Sequence, residues 1–108
     1  MKNNLKVSNM IMSGRIPVKR KFKIEEVNKL INRLNWFLPR EDNIMFSKQF
    51  KYRKKVELNV HKQQKNPYVS IWYSGAIVIV GLRSKKEGNE IYDLVIKDLK
   101  QICPSILI

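Results

Sequence analysis

Residues 68–81 read Tyr68-Val69-Ser70-Ile71-Trp72-Tyr73-Ser74-Gly75-Ala76-Ile77-Val78-Ile79-Val80-Gly81, and the fold turns on this stretch. Two β-rich runs flank a Ser-Gly pair, a strong short-range hairpin signal. Strand side chains alternate between faces. Ile77 and Ile79 therefore point one way, and Ala76, Val78 and Val80 the other. A sheet covered by helices on one side should carry polar residues on its open side. This strand is apolar on both. The second face needs either another layer of the chain or a partner from outside it.

Outward from the hairpin, the remaining elements follow from their patterns. Residues 5–14 read as a first strand, with Met10 and Met12 on one side and Val7, Asn9, Ile11 and Ser13 on the other. The basic stretch 15–23 contains Pro17 and reads as a loop or frayed strand end. Ile24, Val27, Leu30, Ile31 and Leu34 fall at helical spacing, with Glu25 and Glu26 in the first turn, where the helix dipole favours acids. Pro39 lies beyond that helix and leaves Trp36-Phe37-Leu38 to close its end against the core. A second strand spans 43–50 with Ile44 and Phe46, followed by the basic run Lys51-Tyr52-Arg53-Lys54-Lys55. A third strand spans 56–62: Val56, Leu58 and Val60 point inward and Glu57, Asn59 and His61 outward. After the hairpin, 83–89 reads as a charged loop. The last helix runs from about Glu90 to Ile102, with Ile91, Leu94, Val95, Leu99 and Ile102 on its inner side, widened by Tyr92 and Ile96.

The expected fold is therefore α+β: a five-stranded antiparallel sheet in the order β-α-β-β-β-β-α, with two helices on one face. At 108 residues the chain has room for one domain and one modest core. No helical element remains for the other face. That face would carry Asn9, Ile11, Asn59, His61, Tyr68, Ser70, Trp72, Ala76, Val78 and Val80.

Charge narrows the partner. Twenty-two Lys and Arg against nine Asp and Glu give a net charge of +13, which favours a polyanion, because cations on phosphates release condensed counterions. Nucleic acid fits this better than an anionic membrane, since neither helix joins a basic face to an exposed Trp/Phe/Leu face. The bland alternative is a solvated basic surface. Cys103 is the only cysteine and His61 the only histidine, so a disulfide framework, a cysteine-rich metal site and a resident metal cofactor are not expected. Cys103, between Ile102 and Pro104, reads as a small hydrophobe near a helix end. No stretch approaches 18 consecutive apolar residues and no signal-peptide core is present, so a soluble intracellular protein is expected. The chain has no acidic cluster, nucleophile–base pair or phosphate-cradling glycine loop, and an enzyme is not expected.

Two of these segments carry a resemblance. Val7-Ser8-Asn9-Met10-Ile11-Met12-Ser13 is similar to the first strand of a TATA-box-binding protein repeat, where an Asn precedes alternating apolar residues. Ile71-Trp72-Tyr73-Ser74-Gly75-Ala76-Ile77-Val78-Ile79-Val80-Gly81-Leu82-Arg83-Ser84 resembles that family's fourth and fifth strands. The likeness spans roughly residues 5–103 and implies one curved repeat of the family filling the chain, residues 1–108. It implies a minor-groove DNA-binding protein of transcription initiation, acting in the nucleus or another DNA-containing compartment beside general transcription factors or RNA polymerase. On the matching positions, Asn9 would hydrogen-bond groove acceptors, Ile11 and Val78 would lie on the groove floor, Trp72 would wedge between base steps, and Arg83 would contact the backbone. Asn59, Ser70 and Val80 join this surface by strand parity, and Arg53 and Lys55 by charge.

The chain also departs from the family pattern. Val80 replaces a Thr that bonds a base, Ala76 replaces a basic residue, and a second wedge aromatic has no clear counterpart near Lys55, with Tyr52 and Phe50 only shifted candidates. Groove- or shape-based DNA binding is thereby favoured over TATA-specific readout. The family carries two repeats and this chain one, so a two-fold homodimer would restore the missing half, with residues 5–13 as its seam. Two other binding classes compete: a platform stacking single strands on Trp72, Tyr68 and His61, or an accessory nucleic-acid-binding domain without TATA specificity. A purely protein-binding apolar face is disfavoured by the charge.

Overall fold

The computed structural model describes residues 5–8, 11–39, 45–50 and 67–108. Two short strands open the chain, β1 (Leu5–Ser8) and β2 (Ile11–Arg15), paired antiparallel with Ser8 opposite Ile11. Helix α1 (Ile24–Leu34) follows, then β3 (Phe46–Gln49), β4 (Tyr68–Ile71), β5 (Ala76–Val80) and helix α2 (Lys85–Ile102). A 3-10 turn at Pro104–Ile106 completes the described elements. The architecture is α+β, an open antiparallel sheet with two helices, and the described strands lie side by side in the order β1-β2-β5-β4-β3.

The hairpin forms as its alternation requires. Ile77 and Ile79 of β5 and Val69 and Ile71 of β4 are fully buried, and Met12 and Phe46 extend the same layer on β2 and β3. Helices α1 and α2 close over it with Val27, Leu30, Ile91, Tyr92, Val95 and Leu99. Leu94 and Ile24 were expected on the inner helix faces but are exposed. Each lies at the margin of its apolar stripe, beyond the arc that meets the sheet. Gly88 sits where α2 comes closest: a Cβ there would lie 2.0 Å from Met12 Sδ. Trp36 is buried edge-on against Phe46, ring centroids 5.0 Å apart. Its indole N–H donates to Asp98 Oδ2 at 3.2 Å, and Lys48 Nζ pairs with the same oxygen at 2.7 Å while lying over the Trp36 and Phe50 rings.

Further sequence expectations change. The single first strand is a pair, β1 and β2, which places β2 inside the sheet, flanked by β1 and β5. Of the expected seam, residues 5–13, only β1 (Leu5–Ser8) therefore stands at the edge of the described sheet, and Ile11 and Ser13 lie inside it. Helix α2 starts at Lys85 rather than Glu90 because Ser84 caps it: its Oγ accepts from the Glu87 N–H at 3.1 Å, and the Glu87 carboxylate accepts from the Arg83 N–H at 2.6 Å. Trp36 packs inward as expected, but Phe37 and Leu38 do not; they are 40% and 61% exposed. Asn35, in the left-handed region at φ 61°, ends α1 and redirects the chain. Phe37 then exchanges both backbone hydrogen bonds with Ser47, bridging onto the outer edge of β3. The stretch after β2 is a loop, one of the two readings its sequence allowed, and it is pinned rather than frayed. The N–H of Ile16 donates to Gly75 O, that of Lys19 to Ile106 O and that of Phe22 to Tyr73 O, while Ile16 and Phe22 are buried. The expected third strand over 56–62 lies outside the described residues.

Candidate nucleic-acid interface

Strand register builds the surface opposite the helices. Ser13, Val78, Ser70 and Ser47 stand opposite one another across β2, β5, β4 and β3. Arg15 pairs with Ala76 on one side of that row, and Val80, Tyr68 and Gln49 line up on the other. Ile11 shares the face by its alternation with buried Met12 and is 40% exposed. Ala76, Val78, Val80 and Tyr68 are half-buried. The face is apolar along β5 and accessible, as the hairpin pattern predicts.

Trp72 takes the open side by the same alternation and is half-buried. It stands where β4 turns: its N–H donates to Ala76 O at 3.0 Å, and its carbonyl accepts from the Gly75 N–H. Tyr73, Ser74 and Gly75 form the three-residue loop, with Gly75 at φ 97°, the geometry in which glycine supplies a left-handed bulge. Ser70 departs from the expected exposed contact. It is only 6% exposed, and its hydroxyl lies 3.2 Å from that of the fully buried Ser47, so the pair satisfies itself. Arg83 is exposed. Asn9, Asn59, Arg53 and Lys55, together with His61, lie outside the described residues.

The surface also holds an aromatic that sequence reasoning assigned to the core. Phe37, bridged to Ser47, brings its ring to 5.8 Å from that of Tyr68, tilted by 56°. The two rings flank the buried serine pair. One local signal was available: Leu38 precedes Pro39, which disfavours helix and biases the segment to extended backbone able to pair with a strand.

Cations group at both ends of β5. Arg15, beside Ala76, is exposed together with Lys19 and Lys21; beyond Val80 come exposed Arg83, Lys85 and Lys86. At about 3.4 Å per residue, β5 separates these groups by roughly 15 Å. Lys85 and Lys86 stand in the first turn of α2, where positive charge opposes the helix dipole; an anion there would relieve that conflict. Arg20 is engaged differently. Its guanidinium forks onto the Glu26 carboxylate at 2.6 and 3.0 Å, and this hydrogen bonding holds Glu26 below the usual carboxylate range.

Among the described residues no helix is long and apolar enough to cross a membrane. Comparison with protein families, curated protein sequences and solved structures gives no match to this chain.

Proposed function

We propose that this protein binds double-stranded DNA through the open face of its sheet, in the manner of one TATA-box-binding protein repeat. The observation that carries the reading is an accessible apolar strand face, Ala76-Val78-Val80 with Ile11, bracketed by cations at each end. An aliphatic strip lies against the floor of a minor groove, the cations reach the two backbones, and Trp72 at the β4 turn is positioned to wedge a base step and bend the duplex. The role is binding, without catalysis, in support of transcription initiation in the nucleus or another DNA-containing compartment. A second copy supplies the other half of the site, and a duplex of about 8–12 base pairs favours the pair by mass action.

The tilted Phe37–Tyr68 pair on the same face favours a second reading, stacking of single-stranded bases. One experiment separates the two: binding to AT-rich duplex, GC-rich duplex and single strand, each across salt. Groove binding predicts AT-rich duplex first and an affinity that falls by orders of magnitude between about 50 and 200 mM salt. Single strand ahead of both duplexes assigns the face to stacking. A flat salt response refutes nucleic-acid binding altogether.

A further inference from the structure

A concavity of about 520 Å³ opens at the β4–β5 turn, between the segment that follows β2 and Ser74. The ionisable side chains lining it are all cationic, Arg15, Lys19, Arg20 and Lys21, and Ile108 lines it too, setting its terminal carboxylate against them. Arg20 is committed to Glu26, which leaves Arg15, Lys19 and Lys21 as its exposed cations.

Basic loops are common and usually solvated; this one is held. Val18 bridges to Leu107, the Ile108 N–H donates to Pro17 O, and the bonds from Ile16, Lys19 and Phe22 tie the segment to the turn and to the chain after α2. Arg15 is fixed a second time, because its Nη2 donates to Ser74 O at 2.9 Å. That bond uses part of a five-donor fork and leaves other N–H groups for an anion. The wall is also close-fitting: a Cβ on Gly75 would come within 2.9 Å of Val18 Cγ2. Arg15, already held through its own side chain, loses little freedom when it meets an anion, and the pinned backbone keeps Lys19 and Lys21 within reach of the same point.

We infer that this cleft is a phosphate-binding site, taking a backbone phosphate of the duplex that lies on the open sheet face. Arg15 joins the two: it lines the cleft and also shares the open face beside Ala76. The inference rests on the proposed function for the source of the phosphate and on the cleft alone for its chemistry.

The test compares Arg15→Gln/Lys19→Gln/Lys21→Gln with a control of equal charge loss on the helices, Lys29→Gln/Arg33→Gln/Lys97→Gln, both checked for folding by circular dichroism. Against AT-rich duplex, the slope of log affinity on log salt should become shallower by about 2–3 in the cleft variant and by less than about 1 in the control. Equal slopes in wild type and cleft variant overturn the assignment. Independently, pyrophosphate added at constant ionic strength should give saturable amide shifts at Arg15, Lys19, Lys21 and Ser74 that vanish in the cleft variant. Absence of such shifts overturns the phosphate site whatever the duplex result. Pyrophosphate binding by a wild type that ignores every duplex upholds the cleft's chemistry and overturns both the backbone source and the open-face reading. Cleft-dependent binding to phosphatidylglycerol vesicles instead of duplex moves the phosphate to a lipid and overturns the backbone assignment.

Discussion

The two faces of the β4–β5 hairpin come from one short run of apolar residues, yet they have opposite fates. Ile77 and Ile79 vanish beneath two helices, while Val78 and Val80, one residue away, stay partly accessible. Hydrophobicity alone does not separate them. What separates them is supply: among the described residues both helices lie on one face, so the same alternation that builds a core on one side leaves Val78 and Val80 partly accessible on the other.

The sharpest way to break this contrast is to truncate neighbours of opposite parity. Ile79→Ala should cost about 2–5 kcal/mol of stability, through lost burial and the cavity left behind, with duplex affinity unchanged per folded molecule. Val78→Ala should cost roughly 1 kcal/mol or less and weaken duplex binding instead. Denaturant unfolding and binding titrations on both variants check the pair; equal stability losses would mean that the open face is covered after all.

Trp72→Ala sharpens the contrast at the turn. Its stability loss should stay below the 3–5 kcal/mol typical of a buried aromatic, while energy transfer between duplex ends loses its bend signal. A full core-sized loss with bending intact would return Trp72 to the core.

Ser70 probes the polar island in the open face. Ser70→Ala leaves the buried Ser47 hydroxyl without its partner and should cost about 1 kcal/mol, whereas the double change to Ala should be nearer neutral. A thermodynamic cycle over the four proteins measures the coupling.

The smallest effects at neutral pH belong to the covered side. Burial pushes the Cys103 thiol up to about 11 from its ordinary value of 9.0. The unfolded chain therefore loses that proton first, and stability should decline from pH 9 towards 11. Glu26 works in the other direction: hydrogen bonding from Arg20 depresses its pKa, so its contribution is present above the ordinary value of 4.5 and lost as pH falls through the folded value. Cys103→Ala should lessen the alkaline decline, to which buried Tyr92, also shifted up, contributes as well, and Glu26→Gln should flatten the acid limb, each read from unfolding midpoints across pH.

Much of the covered side was legible in the sequence. The period-two pattern of residues 76–80 and the 3.6-residue pattern of α1 each encode which side chains meet the core, and parity alone assigns Ile11, Trp72, Val78 and Val80 to the open face. What periodicity missed was decided by single backbone events. The break between β1, ending at Ser8, and β2, starting at Ile11, falls inside a stretch that alternation alone reads as one strand. The start of α2 was written locally, as Ser84-Lys85-Lys86-Glu87, but its charge masked it as loop. Phe37 shows the strongest override: hydrophobicity argued for burial, and the left-handed turn at Asn35 carried it to a strand edge. The buried state of Ser70 needed a partner on β3 that no pattern in β4 announces.

That excursion of Phe37 has a consequence for assembly. An exposed sheet edge invites another chain to add a strand, and a molecule with two such edges can polymerise head to tail into a ribbon. Here the outward N–H and C=O of Ser47 on β3 are already spent on Phe37. Strand addition is blocked at that point. A residue that looks misplaced as a hydrophobe thus acts as a guard, closing Ser47 to edge pairing by another chain.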